Sequence, residues 1–303
     1  MYQEFFQLEL MPFSLTPNPK FFCQLKGHLE ALNILDFCIK SGEGFIKIIG
    51  EVGSGKTLLC RKLLETLDLS QYVTAYIPNP DLTPIEIRKA FARELLLNPN
   101  EWQDQHELLN AIYQHLIDLH KQGKKVVLLI DEAQALSNQS LETIRLLTNL
   151  ETEQTKLLQV VLFAQPELDE RLNQTNLRQL KQRITFSYTL PLMNRDDLDA
   201  YLYHRLAKAG YIHGNLFTKK AKNLLYKASQ GIPRVVNILS HKALLVAYGR
   251  GEHLIDHKAM KLAVNDTEAI IARKNNWTIL LLGMASSTIL ITLMIFLTGN
   301  LSR

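Results

Sequence analysis

The sequence predicts an α/β fold: a mostly parallel sheet sandwiched between helices (αβα), then a small α-helical domain, then one C-terminal transmembrane helix. Three observations predict this order. Apolar strand-like runs alternate with helical patterns from about His28 to Leu190. From Asn194 helical patterns follow one another with no strand between them. Trp277 to Thr298 is an uncharged run of about 22 residues, close to the ~20 needed to cross a bilayer core. The expected divisions are an extended N-terminal segment over 1–27, a nucleotide-binding domain over 28–192, a helical lid domain over 193–272 and the membrane helix over 277–298.

The chain has 303 residues, of which 47% are hydrophobic and 21% charged, enough for two packed domains. A net charge of +4 is too small to argue for a nucleic-acid partner, and none is expected. Cys23, Cys38 and Cys60 show no metal-ligand spacing and sit among apolar neighbours, so a reducing compartment without disulfides is expected. The first residues, Met1-Tyr2-Gln3-Glu4-Phe5-Phe6, lack the basic and apolar regions of a secretory signal, which places the bulk of the chain in the cytosol.

In chain order, Glu9 to Phe22 is punctuated by Pro12, Pro17 and Pro19 and reads as extended. Pro12-Phe13 is placed either against an adenine base or as a hydrophobic anchor for the N-terminus. A helix over about His28 to Lys40 ends at Ser41-Gly42-Glu43-Gly44, which releases the first strand, Phe45 to Ile49.

Gly50-Glu51-Val52-Gly53-Ser54-Gly55-Lys56-Thr57 follows that strand and precedes a helical pattern beginning at Leu58. All the fixed letters of a phosphate-binding P-loop fall in the strand–loop–helix context that the motif needs. Glycines let backbone N–H groups curl around a triphosphate, and the helix N-terminus adds its positive dipole end. Gly50, Glu51, Val52, Gly53, Ser54, Gly55, Lys56, Thr57 and Leu58 are therefore expected to hold a nucleoside triphosphate. Lys56 would reach the β- and γ-phosphates, and the Thr57 hydroxyl would hold Mg²⁺.

Tyr72 to Ile77 is the second strand, and Thr83-Pro84-Ile85-Glu86 opens the next helix with a capping residue and an early proline. A helix over about His106 to Gln122 leads to Val126-Val127-Leu128-Leu129-Ile130-Asp131-Glu132, a buried parallel-type strand ending in two acids. This is the pattern of a Walker B element. Asp131 would orient Mg²⁺, and Glu132 would polarise the water that attacks the γ-phosphate.

A helix over Gln139 to Leu150 and a strand over Leu157 to Phe163 follow, the latter running into Ala164-Gln165-Pro166-Glu167-Leu168. Gln165 is placed either to sense the γ-phosphate or to satisfy a turn. Arg171, Arg178 and Arg183 precede a strand over Ile184 to Leu190 and form a basic face. In a ring-forming ATPase, Arg178 or Arg183 would enter the neighbour's site as a finger against transition-state charge. The helical part runs over Arg195 to Ala209, Thr218 to Ser229, Pro233 to Tyr248 and Asp256 to Thr267. Arg234, in Gly231-Ile232-Pro233-Arg234, could reach the nucleotide phosphates. Arg273 and Lys274 before the apolar run put its N-terminal side in the cytoplasm.

Taken in order, these motifs resemble the AAA+ P-loop NTPases, and more narrowly the family that contains the general secretion pathway protein A (ExeA) and the MSHA pilus biogenesis protein MshM. The resemblance is carried by Pro12-Phe13 with Thr16-Pro17, Gly44-Phe45, the P-loop, Asp131-Glu132-Ala133-Gln134 and Gln165-Pro166-Glu167-Leu168. Leu177-Arg178-Gln179-Leu180, Gln182-Arg183-Ile184 and Gly231-Ile232-Pro233-Arg234 complete it. It implies an ATP-driven homo-oligomeric ring, expected to be a hexamer, on the cytoplasmic face of a bacterial inner membrane. Its expected partners are inner-membrane lipid and components of a type IV-like (MSHA-type) pilus or a type II secretion machine. It also implies that Gln165 is sensor 1 and Arg234 sensor 2. The sequence ends about five residues after the apolar run, short of a peptidoglycan-binding domain, so an MshM-like pilus role is the expectation. The other function classes are a DNA-associated AAA+ adaptor of the transposition-regulator type and a non-hydrolysing, ATP-dependent scaffold switch.

Overall fold

The computed structural model describes residues 2–15, 21–102, 104–152 and 155–267. In chain order the elements are α1 (Tyr2–Phe5), α2 (Lys26–Ser41), β1 (Phe45–Ile49), α3 (Lys56–Thr66), β2 (Tyr72–Ile77), α4 (Pro84–Glu94) and α5 (Gln105–Lys121). They continue with β3 (Lys125–Ile130), α6 (Asn138–Leu147), β4 (Leu158–Ala164), α7 (Glu167–Leu172), α8 (Arg178–Arg183), β5 (Phe186–Thr189) and α9 (Arg195–Lys208). The last are α10 (Lys219–Ser229), α11 (Pro233–Gly249) and α12 (His257–Asn265). The described residues divide into two compact units, one within 21–205 with 232–234, the other of 2–15, 206–231 and 235–267.

The first unit is built on a five-stranded sheet in the order β2-β3-β4-β1-β5, with every pair parallel. A parallel sheet must be covered on both faces, and alternate residues show where each face goes. Val126, Leu128 and Ile130 of β3 join Val160 and Leu162 of β4 in a core completed by Ile87, Phe91, Ile112 and Ile144 from α4, α5 and α6. Val127, Leu129, Val161 and Phe163 face the other way, against Leu35 and Ile39 of α2 and Leu59 and Leu63 of α3.

Two polar side chains interrupt these faces. Lys47, in the middle of β1, is nearly buried and forms an ion pair with Asp169 of α7. Gln159 of β4 is buried and donates to the carbonyls of Cys38, Ile39 and Glu43, so it ties the sheet to the end of α2.

Local signals explain the ends of the elements. Gly42, at φ +82°, caps α2 with its N–H on the carbonyls of Cys38 and Ile39. Thr83 and Glu86 form a reciprocal capping box at the start of α4, with Pro84 in the first turn. The short helices α7 and α8 have no counterpart among the expected elements; six residues are too few for a periodic apolar face to stand out. The three cysteines are free thiols, Cys38 and Cys60 being buried.

The second unit is helical, with Val236, Leu239, Ala243 and Leu244 of α11 buried alongside Ala221 and Leu225 of α10 and Ala259 and Met260 of α12. It differs from expectation at the N-terminus. Residues 1–27 do not form one extended segment: residues 2–15, including α1, pack into the helical unit. Tyr2 Oη bonds His241 Nδ1 at 3.1 Å, and Phe5 stacks on His253 with ring centroids 4.2 Å apart. Phe13 is fully buried and meets Phe217 edge-on, the anchoring alternative for Pro12-Phe13. Apolar aromatics spaced too irregularly for a helical stripe gave no hint of this docking. The division between the two units falls within α9, at Arg205–Leu206. Thr16 and Pro17, and the expected membrane helix over Trp277 to Thr298, lie outside the described residues. Among the described residues no helix is long and apolar enough to cross a membrane.

Candidate functional site

The strand order puts the carboxyl ends of β3, β4 and β1 side by side, where open parallel sheets bind their ligands. Ile49 pairs with Ala164, and Ile130 pairs with Leu162, so the three strands stop at nearly one level. The Gly50 N–H closes the gap by donating to the Ala164 carbonyl at 3.1 Å. The residues that leave these ends are Gly50, Asp131 and Gln165.

The loop from Gly50 bends through Gly53 at φ +78° and Gly55 at φ +102°, conformations that an L side chain rarely adopts. Gly55 is the N-cap of α3, so the first amides of that helix open towards the loop. Glu51 and Val52 are exposed, Thr57 and Leu58 half-buried, and Ser54 and Lys56 buried. Lys56 Nζ donates to the carbonyls of Gly50 at 2.7 Å and Glu51 at 3.0 Å. Burial pulls its pKa down, opposed by the carboxylates of Glu132, Asp131, Glu51 and Glu167. Ser54 Oγ is buried and has no hydrogen-bond partner among the described residues.

Asp131 is buried beside this loop. Burial pushes its pKa up, against the Thr57 hydroxyl bonded to its carboxylate and the Glu132 N–H, which reaches Oδ1 at 2.9 Å. The nearby charge of Glu132 adds to the rise and that of Lys56 opposes it. Glu132 itself has φ +52°, an uncommon backbone conformation for a residue with a Cβ. Its Oε2 accepts from Gln165 Nε2 at 2.9 Å and from Gln134 Nε2. Thus Gln165 touches Glu132 directly.

Arg234 also reaches the loop. Its N–H donates to the Gly53 carbonyl at 3.2 Å, and its Cβ is 2.5 Å from where a side chain on Gly53 would begin. The guanidinium-bearing side chain is exposed. Of the three arginines of the basic face, Arg171 is committed within its own chain: Nη1 donates to the Gln134 carbonyl at 2.8 Å, and Nη2 to Leu136 O at 2.7 Å and Asn138 Oδ1 at 2.8 Å. Arg178 is exposed at the start of α8, and Arg183 is half-buried at its end. Neither bonds to the loop.

These groups fit a nucleoside triphosphate with a hard divalent cation. The left-handed glycines form a cradle that a Cβ would fill, at Gly53 against Arg234 and at Gly55 against His28. A hydroxyl beside a carboxylate, Thr57 with Asp131, is an oxygen donor set of the kind magnesium takes with few protein ligands. Residue reading passed over three contributors. His28 donates to the Ser54 carbonyl, Gln134 bridges Glu132 to Gln165, and Arg171 acts in cis. The Asp131-Glu132-Ala133-Gln134 run was the available signal for Gln134.

Comparison with known proteins agrees with this geometry. A family model described as an AAA domain matches residues 39–172. General secretion pathway protein A of Aeromonas hydrophila is 43% identical over 270 residues, covering 89% of this chain and 49% of that protein. The chain thus spans about half the length of this curated relative. Among solved structures, the Aeropyrum pernix ORC2 protein in its ADPNP-ADP complexes aligns with a TM-score of 0.61 at 17% identity, covering 85% of this chain and 72% of that one. Cdc6p from Pyrobaculum aerophilum aligns at 0.60 and 20% identity, covering 80% and 67%. Drosophila ORC bound to DNA aligns at 0.61 and 19%, covering 89% and 65%. At such identities these structures speak for the fold alone. Over the 270 residues it shares with the Aeromonas protein, this chain is similar to general secretion pathway protein A, and within them residues 39–172 carry an AAA domain.

Proposed function

We propose that the chain is an ATP-hydrolysing AAA+ protein that works as an oligomeric ring tethered to a bacterial inner membrane. There it would drive assembly of a type II secretion machine or a type IV-like pilus. The observation that carries the hydrolytic part is the convergence of Lys56, Thr57 with Asp131, and Glu132 with Gln165 at three adjoining strand ends. A protein that only bound nucleotide would not need a carboxylate oriented by two amides next to its phosphate loop.

The chain's own groups divide the work. The amides from Gly53 to Thr57 and the Lys56 ammonium hold the phosphates, Lys56 leaving its two carbonyl partners to do so. Thr57 and Asp131 would hold magnesium, which when bound neutralises charge on the phosphate oxygens. Glu132 accepts a proton from the attacking water, and Gln165 fixes both that carboxylate and the γ-phosphate end of the site. Arg234, tied to Gly53 by its backbone, is the sensor 2 group. Arg178 or Arg183 serves the adjoining copy's site as the finger; Arg171 is excluded from that part by its bonds in cis. The secretion assignment rests on the Aeromonas relative, the pilus alternative on the MshM-like motif resemblance alone, and the tether on Trp277 to Thr298.

The test is phosphate release from ATP by the purified full-length chain across protein concentration. Specific turnover that rises with concentration, and is lost in Lys56→Ala and in Glu132→Gln while Glu132→Gln still binds ATP, is expected. Turnover independent of concentration and intact in both Arg178→Ala and Arg183→Ala would rule out the ring with its finger.

A further inference from the structure

We propose that Gln134 is a positioning residue: its side chain clamps one oxygen of Glu132 and so presents the other to the attacking water. The inference rests on the assignment of Glu132 as the water-polarising group.

Gln134 is bonded at both ends. Its Oε1 accepts from the Gln165 backbone N–H at 3.0 Å, and its Nε2 donates to Glu132 Oε2. Chemistry fixes this orientation of the amide, because a backbone N–H can only donate and a carboxylate can only accept. The bridge therefore links the turn after β3 to the end of β4. Gln165 Nε2 bonds the same oxygen, Oε2, at 2.9 Å. Two donors on one oxygen fix the rotation of the carboxylate and, among the described residues, leave Oε1 without a side-chain donor, ready to accept a proton.

The clamp is itself held. Arg171 donates to the main-chain oxygens of Gln134 and Leu136 and to Asn138 Oδ1. The Ala135 N–H donates to the Glu132 carbonyl at 2.8 Å, closing the tight turn in which Glu132 has φ +52°. A strained backbone persists when its surroundings over-determine it, and here the surroundings are Gln134 and Arg171. The other charges at the site are Asp131 next to Glu132 and Lys56 at the start of α3, with Glu51 and Glu167 acting on Lys56.

Gln134→Glu separates this role from simple packing. The new side chain has the same shape and still accepts from the Gln165 N–H. It puts a carboxylate where Nε2 donated, so the charged form of Glu132 is disfavoured. In full-length protein, the acidic limb of kcat against pH should move up by about one unit or more, with ATP affinity unchanged. Gln134→Ala should lower kcat by about 10- to 100-fold, again with ATP affinity unchanged. Thermal melts without nucleotide give a second readout. Gln134→Glu should lose more stability at pH 8 than at pH 5, and adding Glu132→Gln should erase that difference. Wild-type kcat and pH profile in both Gln134 variants would overturn the inference while leaving Glu132 in place. A parallel loss of ATP binding and turnover would overturn it too, as a merely structural role. Wild-type turnover surviving in Glu132→Gln, or no turnover by the wild type, would overturn the underlying assignment and the inference with it.

Discussion

His28 Nε2 donates to the Ser54 carbonyl at 3.2 Å, and the same nitrogen lies 2.8 Å from where a Cβ on Gly55 would be. A carbonyl can only accept, so Nε2 carries the proton. The imidazole is buried, and burial lowers its pKa against the Ser54 bond and the charge of Asp197. It props the loop at the Ser54 carbonyl, and with that carbonyl held the neighbouring N–H groups would be left to face phosphates.

His28→Ala should therefore weaken nucleotide binding by about tenfold, or ~1.4 kcal/mol, because the Ser54 carbonyl loses a buried donor. Gly55→Ala should abolish binding, since it adds a clash to a φ of +102°. Fluorescent-nucleotide titration reads both; unchanged affinity in His28→Ala would remove the prop. The sign for pH follows from the lowered pKa. The unfolded imidazole takes a proton first, so this part of the stability is present above about pH 6.5 and is lost as pH falls through the folded pKa. The melting temperature of His28→Ala should accordingly fall less than the wild type's between pH 7 and pH 5.

Asp131→Asn should make the chain more stable while ending its turnover. Burial raises the Asp131 pKa above its ordinary value, so the ionised form costs stability once pH passes the unfolded pKa of about 3.9, fully so above the folded one. An amide of the same shape still accepts from the Glu132 N–H through Oδ1, and its NH₂ can donate to the Thr57 hydroxyl, without that cost. Lys56 loses one counter-charge but keeps the Gly50 and Glu51 carbonyls. A gain of about 1 kcal/mol would raise the melting temperature by ~2–4 °C at pH 7 and by nothing near pH 3. A lower melting temperature at pH 7 would show that Asp131 is held more by its partners than it is penalised by burial.

What the sequence made legible follows from the range of each signal. The P-loop and the acidic strand end are local, each a few contiguous residues whose chemistry demands a strand on one side, so Lys56, Thr57, Asp131 and Glu132 could be placed by reading alone. The strand order could not, because nothing in β1 says that it lies between β4 and β5. For the same reason the meeting of Gln134 with Gln165, 31 positions away, was invisible although both residues stood in quoted motifs. Arg171 read as part of a basic face with Arg178 and Arg183. Only its three bonds to the turn after β3 distinguish it from them. The N-terminal aromatics misled for a related reason: Tyr2, Phe5 and Phe13 find their partners in His241, His253 and Phe217, more than two hundred residues on.

Gln159→Leu should separate stability from function. Gln159 Nε2 serves the carbonyls of Cys38, Ile39 and Glu43 at the end of α2 opposite the nucleotide site's strand ends. Leucine fills the space but donates nothing, and lost bonds of this kind cost about 1–3 kcal/mol. Denaturant midpoints should fall accordingly while ATP affinity stays within about twofold of wild type. A large loss of affinity at unchanged stability would mean that the end of α2 communicates with the phosphate loop.

The pair of Lys47 and Asp169 makes an asymmetric prediction. Lys47 lies in the middle of β1 with only 11% of its side chain exposed, whereas Asp169 on α7 is 42% exposed. Removing the acid leaves an ammonium in the apolar layer beneath α7; removing the lysine leaves a carboxylate that water can still reach. Asp169→Asn should therefore destabilise more than Lys47→Met, by about 1–2 kcal/mol, discounted from the ~3–5 of a fully buried pair because water screens the exposed acid. Methionine follows the path of the lysine stem and adds apolar contact, so Lys47→Met should be close to neutral. The double variant should melt near Lys47→Met, not at the sum of the two single changes, since the harm of Asp169→Asn exists only while the ammonium is there. Urea denaturation of the four proteins checks this. Equal and additive losses would mean that Lys47 reaches water without Asp169 and that the pair does not fasten α7 to the sheet.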